Sequence, residues 1–203
     1  MKIQEDLFVS IDLATNPFEL FTQWFAEAKA SRIKDPTAMA LGTSDEQGHA
    51  DVRMVLLKDH GPEGFVFYTN LRSVKGQHLA NKPWASLCFY WWDLDKQVRI
   101  RGPVEAVDSA VADAYFASRA RQSQIGAWAS KQSEVCGPLD LEKRIAQYVL
   151  KFGVAKVPRP EHWSGFCLKP ETMEFWHERP FRLHDRVRFN KQTGQWVGQH
   201  LFP

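Results

Sequence analysis

The chain begins with an apolar spacing that is typical of an amphipathic helix. Phe18, Phe21 and Phe25 recur at helical intervals, and Asn16 offers an N-cap just before a proline at the first helical position. A helix is therefore predicted over about residues 17–31. Further helices are predicted over residues 73–81, 108–119 and 140–152. The last of these is expected to bury one apolar face, formed by Leu141, Ile145, Tyr148, Val149 and Phe152.

Most of the remaining chain alternates apolar and polar residues between turns rich in Gly, Asp and Pro, a pattern typical of strands. Strands are predicted over residues 37–44, 51–58, 65–70, 84–92, 97–107, 164–177 and 182–190, with a short one after the Lys191-Gln-Thr-Gly turn. The short connections favour antiparallel pairing. We therefore expect a mainly β fold, a closed or partly closed barrel with peripheral helices. We expect one domain over residues 1–203, including the C-terminal strands at about 164–203.

Composition excludes several classes of protein. The 203 residues carry 26 Lys and Arg against 24 Asp and Glu, a net charge of +2 that disfavours nucleic acid as a partner. Three widely spaced cysteines argue against a disulfide framework or a zinc site and favour a reducing, cytoplasmic compartment. The first residues lack the pattern of a secretory signal, and no apolar run approaches the roughly 18–20 residues that span a bilayer.

The most distinctive local pattern is Arg182-Leu-His-Asp-Arg186-Val-Arg188. On a strand, Arg182, His184, Arg186 and Arg188 would share one face. Such a face is most often the solvated side of an edge strand, where charges discourage aggregation. The alternative is an anion site with a histidine that exchanges protons near neutral pH.

Two other groups of residues suit anions. Tyr115 and Arg119 lie four residues apart on a predicted helix, close to Ser123, and together they can satisfy several phosphate oxygens. The alternative is a surface arginine stacked on a tyrosine. Arg53 and Lys58 bracket an apolar strand, where strict alternation places them on opposite faces. A shared ligand would then require a bulge, curvature at the strand end, or two ligands.

Together these segments resemble the pyridoxamine 5′-phosphate oxidase family, over nearly the whole chain from Asp35 onwards. The segments that carry the resemblance are RMVLLK (53–58), FYTN (67–70), KQV (96–98), YFASRARQSQIGAWASKQS (115–133), EFW (174–176) and RLHDR (182–186). The resemblance implies an FMN-binding split β-barrel, working as a homodimer with FMN at the subunit interface. It also implies oxidation of pyridoxamine or pyridoxine 5′-phosphate by O₂ to pyridoxal 5′-phosphate (EC 1.4.3.5). Hydrogen peroxide, and ammonia from the amine, are released in this step of vitamin B6 biosynthesis and salvage.

The resemblance assigns roles by position and implies no metal. The cofactor-binding residues would be Arg53, Met54, Val55, Leu56, Leu57, Lys58, Tyr68, Thr69, Lys75, Gln97, Gln132, Ser133, Trp176 and Arg186. Those binding the substrate would be Lys58, Tyr115, Arg119, Ser123, Arg182 and His184. Arg182 and His184 would lie over the pyridine ring as the catalytic candidates.

Two alternatives stay open. The RLHDR segment alone does not separate this family from phenazine-pathway flavin oxidases, although the segment at 115–133 and Lys58 favour the vitamin B6 enzymes. The second alternative is a protein that binds FMN or pyridoxal phosphate without turnover. It draws support from Val74, because many relatives carry a second basic residue there, on the flavin phosphate.

Overall fold

The computed structural model describes residues 11–203, so the expectation about a secretory signal lies largely outside it. Its helices are α1 (Pro17–Ala30), α2 (Val74–Asn81), α3 (Ser109–Ser118), α4 (Arg121–Ala129) and α5 (Asp140–Phe152). Its strands are β1 (Ala38–Ser44), β2 (Ala50–Leu56), β3 (Asp59–Gly61), β4 (Gly64–Asn70), β5 (Trp84–Trp91), β6 (Lys96–Ala106), β7 (Trp163–Leu168), β8 (Thr172–His177), β9 (Asp185–Gln192) and β10 (Gln195–His200). Short 3₁₀ turns lie at Trp92–Leu94 and Pro180–Arg182.

The strands form an antiparallel half-barrel, as the short turns predicted. One sheet runs in the order β10-β9-β8-β6-β5-β1-β2, and β3, β4 and β7 extend the structure from the second half of β6. β6 pairs with β8 through residues 96–101 and with β7 through residues 104–106. Gly102 lies at this switch, where a Cβ atom would approach the Lys169 carbonyl oxygen to 1.9 Å. Only a glycine lets the two backbones come so close.

The barrel is open between β2 and β4. Among the described strands β2 pairs with β1 alone, while β4 pairs with β3 and β7. Residues of β2 and β4 therefore line a gap in the barrel, and residues of α2, α3 and α4 line the same gap. This gap positions the candidate site.

An aromatic core fills the inside of the half-barrel. Phe21 of α1 lies 4.9 Å from Phe65 and 5.2 Å from Phe89, measured between ring centroids. Burying each ring contributes roughly 1.5–3 kcal/mol, so α1 is held chiefly by this contact surface. The predicted cap is confirmed, since the Asn16 side chain accepts a hydrogen bond from the Phe18 backbone N–H at 2.9 Å.

The segment at 164–190 differs from the prediction of two long strands. Residues 164–177 form two strands, because Lys169 and Glu171 donate backbone hydrogen bonds to Pro103 and Arg101 at the bend of β6. The second predicted strand begins only at Asp185, after a 3₁₀ turn that starts at Pro180. The prediction that four residues share one strand face is therefore wrong for Arg182 and His184, which precede the strand.

The helical predictions also need correction. Helix α4 was not predicted, because it is short and its N-cap, Ala120, has no side chain that could cap it. Ser123 therefore lies within a helix and not in a segment beyond a helix end. The short strand β3 was also not predicted. The expected burial of one face of α5 is wrong, since Leu141, Ile145 and Val149 are 45%, 37% and 45% exposed. Only the end of that face packs, where Tyr148 and Phe152 contact Trp128.

Candidate functional site

A cavity of about 1000 Å³, here called the main cavity, opens between β2 and β4. That volume is at the upper end of small-molecule sites, which span roughly 300–1,000 Å³. It is lined by residues that the sequence singled out: Arg53, Met54, Val55, Leu56, Lys58, Tyr68, Thr69, Lys75, Tyr115, Arg119, Ser123, Gln132 and Ser133. Leu57 is buried in the core instead.

Arg53 is held at one end of the main cavity by the pairing of β1 with β2. Its Nη1 donates to the Thr43 hydroxyl at 2.6 Å and to the Leu41 carbonyl at 3.2 Å. Its Nη2 forms an ion pair with Asp51, which also lines the main cavity. Arg53 and Lys58 line the same cavity. Strand β2 ends at Leu56, so the strict alternation of faces no longer applies at Lys58.

Lys75 lies beside Arg53 at the first turn of α2. Its Nζ donates to Gln132 Oε1 at 3.1 Å and to Ser73 Oγ at 3.3 Å, and the residue is 8% exposed. Burial, and then the charge of Arg53, lower the pKa of Lys75, while Asp51 acts in the opposite direction. Two cations beside a helix N-terminus are an arrangement that favours an anion.

The loop at 130–133 completes this end of the cavity. Ser133 adopts a left-handed backbone with φ of 76°, and its hydroxyl accepts a hydrogen bond from the Val74 N–H at 3.4 Å. Val74 itself adds no charge. The predicted phosphate-binding group of Arg53, Thr69, Lys75 and Ser133 is thus brought together with fewer cations than the family pattern implies.

The other end of the main cavity contains three nearly parallel aromatic rings. The Tyr68 ring centroid lies 4.1 Å from that of Tyr115 and 5.0 Å from that of Trp163. Gly165, opposite Tyr68 in the β4–β7 pair, permits this, since a Cβ there would lie 2.7 Å from the Tyr68 ring. Burial raises the pKa of the Tyr68 phenol. The sequence did not single out Trp163; its only signal was its position immediately before the strand predicted over residues 164–177.

Arg119 lies against these rings. Its guanidinium carbon is 4.8 Å from the Trp163 ring centroid and 5.6 Å from that of Phe116. Its Nη1 is buried and has no hydrogen-bond partner among the described residues. Burial lowers the pKa of Arg119, which lines the cavity and has no ion-pair partner in the described part of the chain. Buried N–H donors are nearly always hydrogen-bonded, so a ligand that supplies an acceptor to Arg119 is expected here.

The remaining predicted residues lie elsewhere. Trp176, Arg182 and His184 line a second cavity of about 620 Å³, here called the C-terminal cavity, which shares no lining residue with the main cavity. The His184 and Trp176 ring centroids are 4.7 Å apart, and His184 Nδ1 accepts a hydrogen bond from the Arg179 backbone N–H at 3.3 Å. Phe181 and Arg182 are left-handed, with φ of 61° and 63°.

Gln97, Trp176 and Arg186 are direct neighbours on three adjacent strands. Gln97 pairs with Trp176 and Trp176 with Arg186 in the sheet register. Arg186 is fixed by Glu174, at 2.8 Å, and by the Phe202 carbonyl, at 3.0 Å. Their face of the sheet continues onto the outward side of β2, where Val52 and Met54 are 66% and 64% exposed. Exposed apolar area of this kind marks an interaction surface.

Comparison with known proteins identifies the family of this chain. A family model described as "Pyridoxamine 5'-phosphate oxidase" matches residues 25–177, about three quarters of the chain. The chain belongs to this family. A second model, "Pyridoxine 5'-phosphate oxidase C-terminal dimerisation region", matches residues 163–203, which include β7 to β10. The described part of the chain has no helix long and apolar enough to cross a membrane.

Relatives within the family are similar over most of their length. The "Pyridoxine/pyridoxamine 5'-phosphate oxidase" of Caulobacter vibrioides strain NA1000 is 56% identical over 192 residues, 93% of this chain and 85% of that protein. The protein of the same name from Brucella canis is 53% identical over 196 residues, 94% of this chain and 95% of that one.

Two solved structures share the fold. PhzG from Burkholderia lata 383, in complex with tetrahydrophenazine-1-carboxylic acid, is 31% identical with a TM-score of 0.89, covering 95% of both chains. A pyridoxamine 5′-phosphate oxidase-related, FMN-binding protein from Nostoc punctiforme is 14% identical with a TM-score of 0.74, covering 95% of this chain and all of that one. The second likeness concerns the fold alone, and together they confirm the predicted split barrel.

Proposed function

We propose that this protein oxidises pyridoxamine 5′-phosphate and pyridoxine 5′-phosphate to pyridoxal 5′-phosphate, with FMN as cofactor and O₂ as oxidant. The observation that carries the proposal is the presence of two separate cationic ends in one cavity. Arg53 and Lys75 form one end, close enough for the charge of Arg53 to lower the pKa of Lys75. Arg119 forms the other, because neither of those cations affects its pKa. Two compact phosphate-bearing ligands match this arrangement better than one.

The donor set at the first end fits the phosphate of FMN. Arg53, Lys75, Ser133 and the N-terminus of α2 supply charged and neutral donors, with Thr69 buried beside them. Met54, Val55, Leu56 and Tyr68 offer apolar and aromatic surface for a flat ring. When bound there, FMN would supply the two-electron oxidation at C4′ of the substrate, with O₂ as the final acceptor of the two electrons and two protons that become part of hydrogen peroxide.

The second end fits the phosphate of the substrate. Arg119 lines the main cavity with Tyr115, Ser123 and Lys58, and its buried Nη1 has no hydrogen-bond partner among the described residues, so a phosphate would supply the missing acceptor. A charge-assisted hydrogen bond of this kind contributes about 1.5–3 kcal/mol. Anchoring the phosphate there lets these residues fix the distance of C4′ from the cofactor ring. Water hydrolyses the imine that forms from the amine, releasing ammonia.

Arg182 and His184 complete the site from a second copy of the chain. The C-terminal cavity is separate from the main cavity within one chain, and one outward face of the sheet connects Val52 and Met54 of β2 with the row of Gln97, Trp176 and Arg186. A two-fold dimer through that face brings the row and the turn of one subunit to the main cavity of the other. Arg182 then orients the pyridine ring, and His184 is held by Trp176 and by the Arg179 N–H. A cytoplasmic location and a single domain remain predictions.

A phenazine-type oxidation is the second candidate, favoured by the likeness to PhzG at a TM-score of 0.89. The vitamin B6 activity has stronger support, because relatives of that name reach 53–56% identity over more than nine tenths of the chain. The uncompensated Arg119 also suits a phosphate.

The test uses the purified protein and its flavin spectrum. Pyridoxamine 5′-phosphate added without oxygen should bleach the yellow colour, and air should restore it while pyridoxal 5′-phosphate, ammonia and hydrogen peroxide form. Tetrahydrophenazine-1-carboxylic acid, added in parallel, should be a poor substrate. A yellow protein that ignores the phosphorylated substrate would be a binding protein only, and preference for the phenazine compound would support the second candidate.

A further inference from the structure

Trp163 lines the main cavity, and neither the resemblance nor the family match assigns it a role. It is the first residue of β7 and is 6% exposed. Its backbone is fixed on both sides, since its N–H donates to the Pro160 carbonyl at 3.0 Å and its carbonyl accepts from Arg159 Nη1 at 2.8 Å. Its ring is parallel to that of Tyr68 within 8°. The ring is therefore a rigid surface inside the main cavity.

That rigid surface supports Arg119. The guanidinium carbon lies 4.8 Å from the Trp163 ring centroid, within cation–π distance, and the ring of Phe116 adds a longer contact of 5.6 Å. Tryptophan gives the strongest such attraction among aromatic side chains, particularly where the cation is withdrawn from water.

The contrast with other arginines shows what this support achieves. Arg53 pairs with Asp51, Arg159 with Asp113 and Arg186 with Glu174. Arg119 forms no ion pair with any described carboxylate, and its Nη1 is buried without a hydrogen-bond partner among the described residues. Arg188 Nε is the other buried atom in that state, but Arg188 lies outside the main cavity. An aromatic face attracts the cation without occupying its N–H donors, so the donors stay available for an anion.

We propose that Trp163 is a positioning residue, which holds Arg119 in the orientation that binds the phosphate of the substrate. The inference deepens the proposed function and rests on it for the identity of the ligand. Trp163 acts through Arg119, so its loss should affect phosphate-bearing substrates selectively. The cofactor phosphate, at the Arg53 end of the cavity, should be unaffected.

Two variants distinguish the effect of the aromatic ring from that of apolar packing: Trp163→Phe keeps an aromatic ring, and Trp163→Leu keeps only apolar volume. Trp92→Phe is the matched control, because Trp92 is exposed and lies outside both cavities. The KM for pyridoxamine 5′-phosphate should rise about threefold for Trp163→Phe and about tenfold for Trp163→Leu, with kcat within twofold. The KM for pyridoxamine, which has no phosphate, should not change. The Kd of the apoprotein for FMN should also stay within twofold.

A binding measurement makes the result independent of turnover. The Kd of the holoprotein for pyridoxal 5′-phosphate, titrated by absorbance, should rise in the same order as the KM values. An unchanged Kd in Trp163→Leu, or equal losses for ligands with and without phosphate, would overturn the inference. Joint loss of FMN and phosphate binding would also overturn it and assign Trp163 to general packing. If Trp163→Leu does not fold, Trp163→Phe decides. A wild-type protein that binds pyridoxal 5′-phosphate without turnover would contradict the proposed function only.

Discussion

The main cavity and the C-terminal cavity hold their functional side chains in different ways. In the main cavity, Arg53 is fixed by Leu41, Thr43 and Asp51, and Lys75 by Ser73 and Gln132. In the C-terminal cavity, Arg182 lies on a left-handed turn next to Phe181, which is almost fully exposed. Each non-glycine residue in such a conformation costs of order 1–3 kcal/mol, which the surrounding structure must offset.

In the proposed function, this difference separates the binding of the phosphates from the orientation of the reacting ring. The main cavity is built by strands and helices whose contacts lie within one chain, so it suits the holding of two phosphates. The turn presents Arg182 and His184 outward, where a second copy can receive them. Changes in the first region should therefore alter affinities, and changes in the second should alter turnover.

The largest effect is expected for Arg182→Ala. Losing the group that orients the pyridine ring should lower kcat/KM by about 100-fold, a loss typical of misplaced reactants, while FMN binding stays within twofold. Steady-state kinetics and an FMN titration of the apoprotein give the two numbers. Arg182→Lys retains the charge and should recover part of the loss. Equal loss of turnover and FMN affinity would mean that Arg182 binds the cofactor instead.

Lys75→Gln should produce the converse result. Removing one charge-assisted contact should weaken FMN binding by about 10- to 100-fold, because such contacts contribute about 1.5–3 kcal/mol. Once saturated with FMN, the variant should have nearly normal kcat. Lys82→Gln, at the other end of α2, is the matched control and should leave the FMN Kd unchanged. A large loss of kcat in FMN-saturated Lys75→Gln would argue against the division between the two cavities.

The sequence anticipated the main cavity better than the C-terminal cavity, for physical reasons. Most main-cavity residues follow local rules: the α2 start and the Tyr115–Arg119 spacing can each be predicted from nearby residues. The end of β2 at Leu56 was not predicted, because the apolar pattern continues to Lys58. The turn at Arg182 depends on Pro180 and on left-handed residues that strand alternation cannot foresee. Trp163 acquires its role only through β4–β7 pairing, which is a tertiary contact. Helix α4 lacked the capping signal that marks most helix starts.

FMN affinity should depend on pH through Lys75. Burial and Arg53 lower its pKa in the ligand-free protein, and a bound phosphate raises that pKa again. The contribution of Lys75 to affinity is therefore complete below the lowered pKa and declines as pH rises through it, by at most about tenfold per pH unit. FMN titrations of the apoprotein across alkaline pH test this. Lys75→Arg, which stays charged, should show a flatter profile; identical profiles would exclude Lys75 as the titrating group.

The smallest effect is expected for Asp51→Asn. Asp51 places a half-exposed negative charge beside the predicted cofactor phosphate and pairs with Arg53. Its neutralisation should tighten FMN binding by about two- to fivefold, the scale of a screened surface charge, and less at high salt. Glu46→Gln, an exposed change of equal charge outside the cavity, should have no effect. Weaker FMN binding in Asp51→Asn would show that the carboxylate supports Arg53 more than it repels the ligand.

Mixing two impaired variants tests the central claim most directly, namely that each site combines the main cavity of one subunit with the C-terminal cavity of its partner. Lys75→Gln and Arg182→Ala homodimers, unfolded and refolded together at a limiting FMN concentration, should form mixed dimers in which one of the two sites is intact. Statistical mixing should restore about a quarter of the wild-type activity. Activity no higher than the mean of the two separately refolded variants would contradict the account, because both groups would then serve a site within one chain.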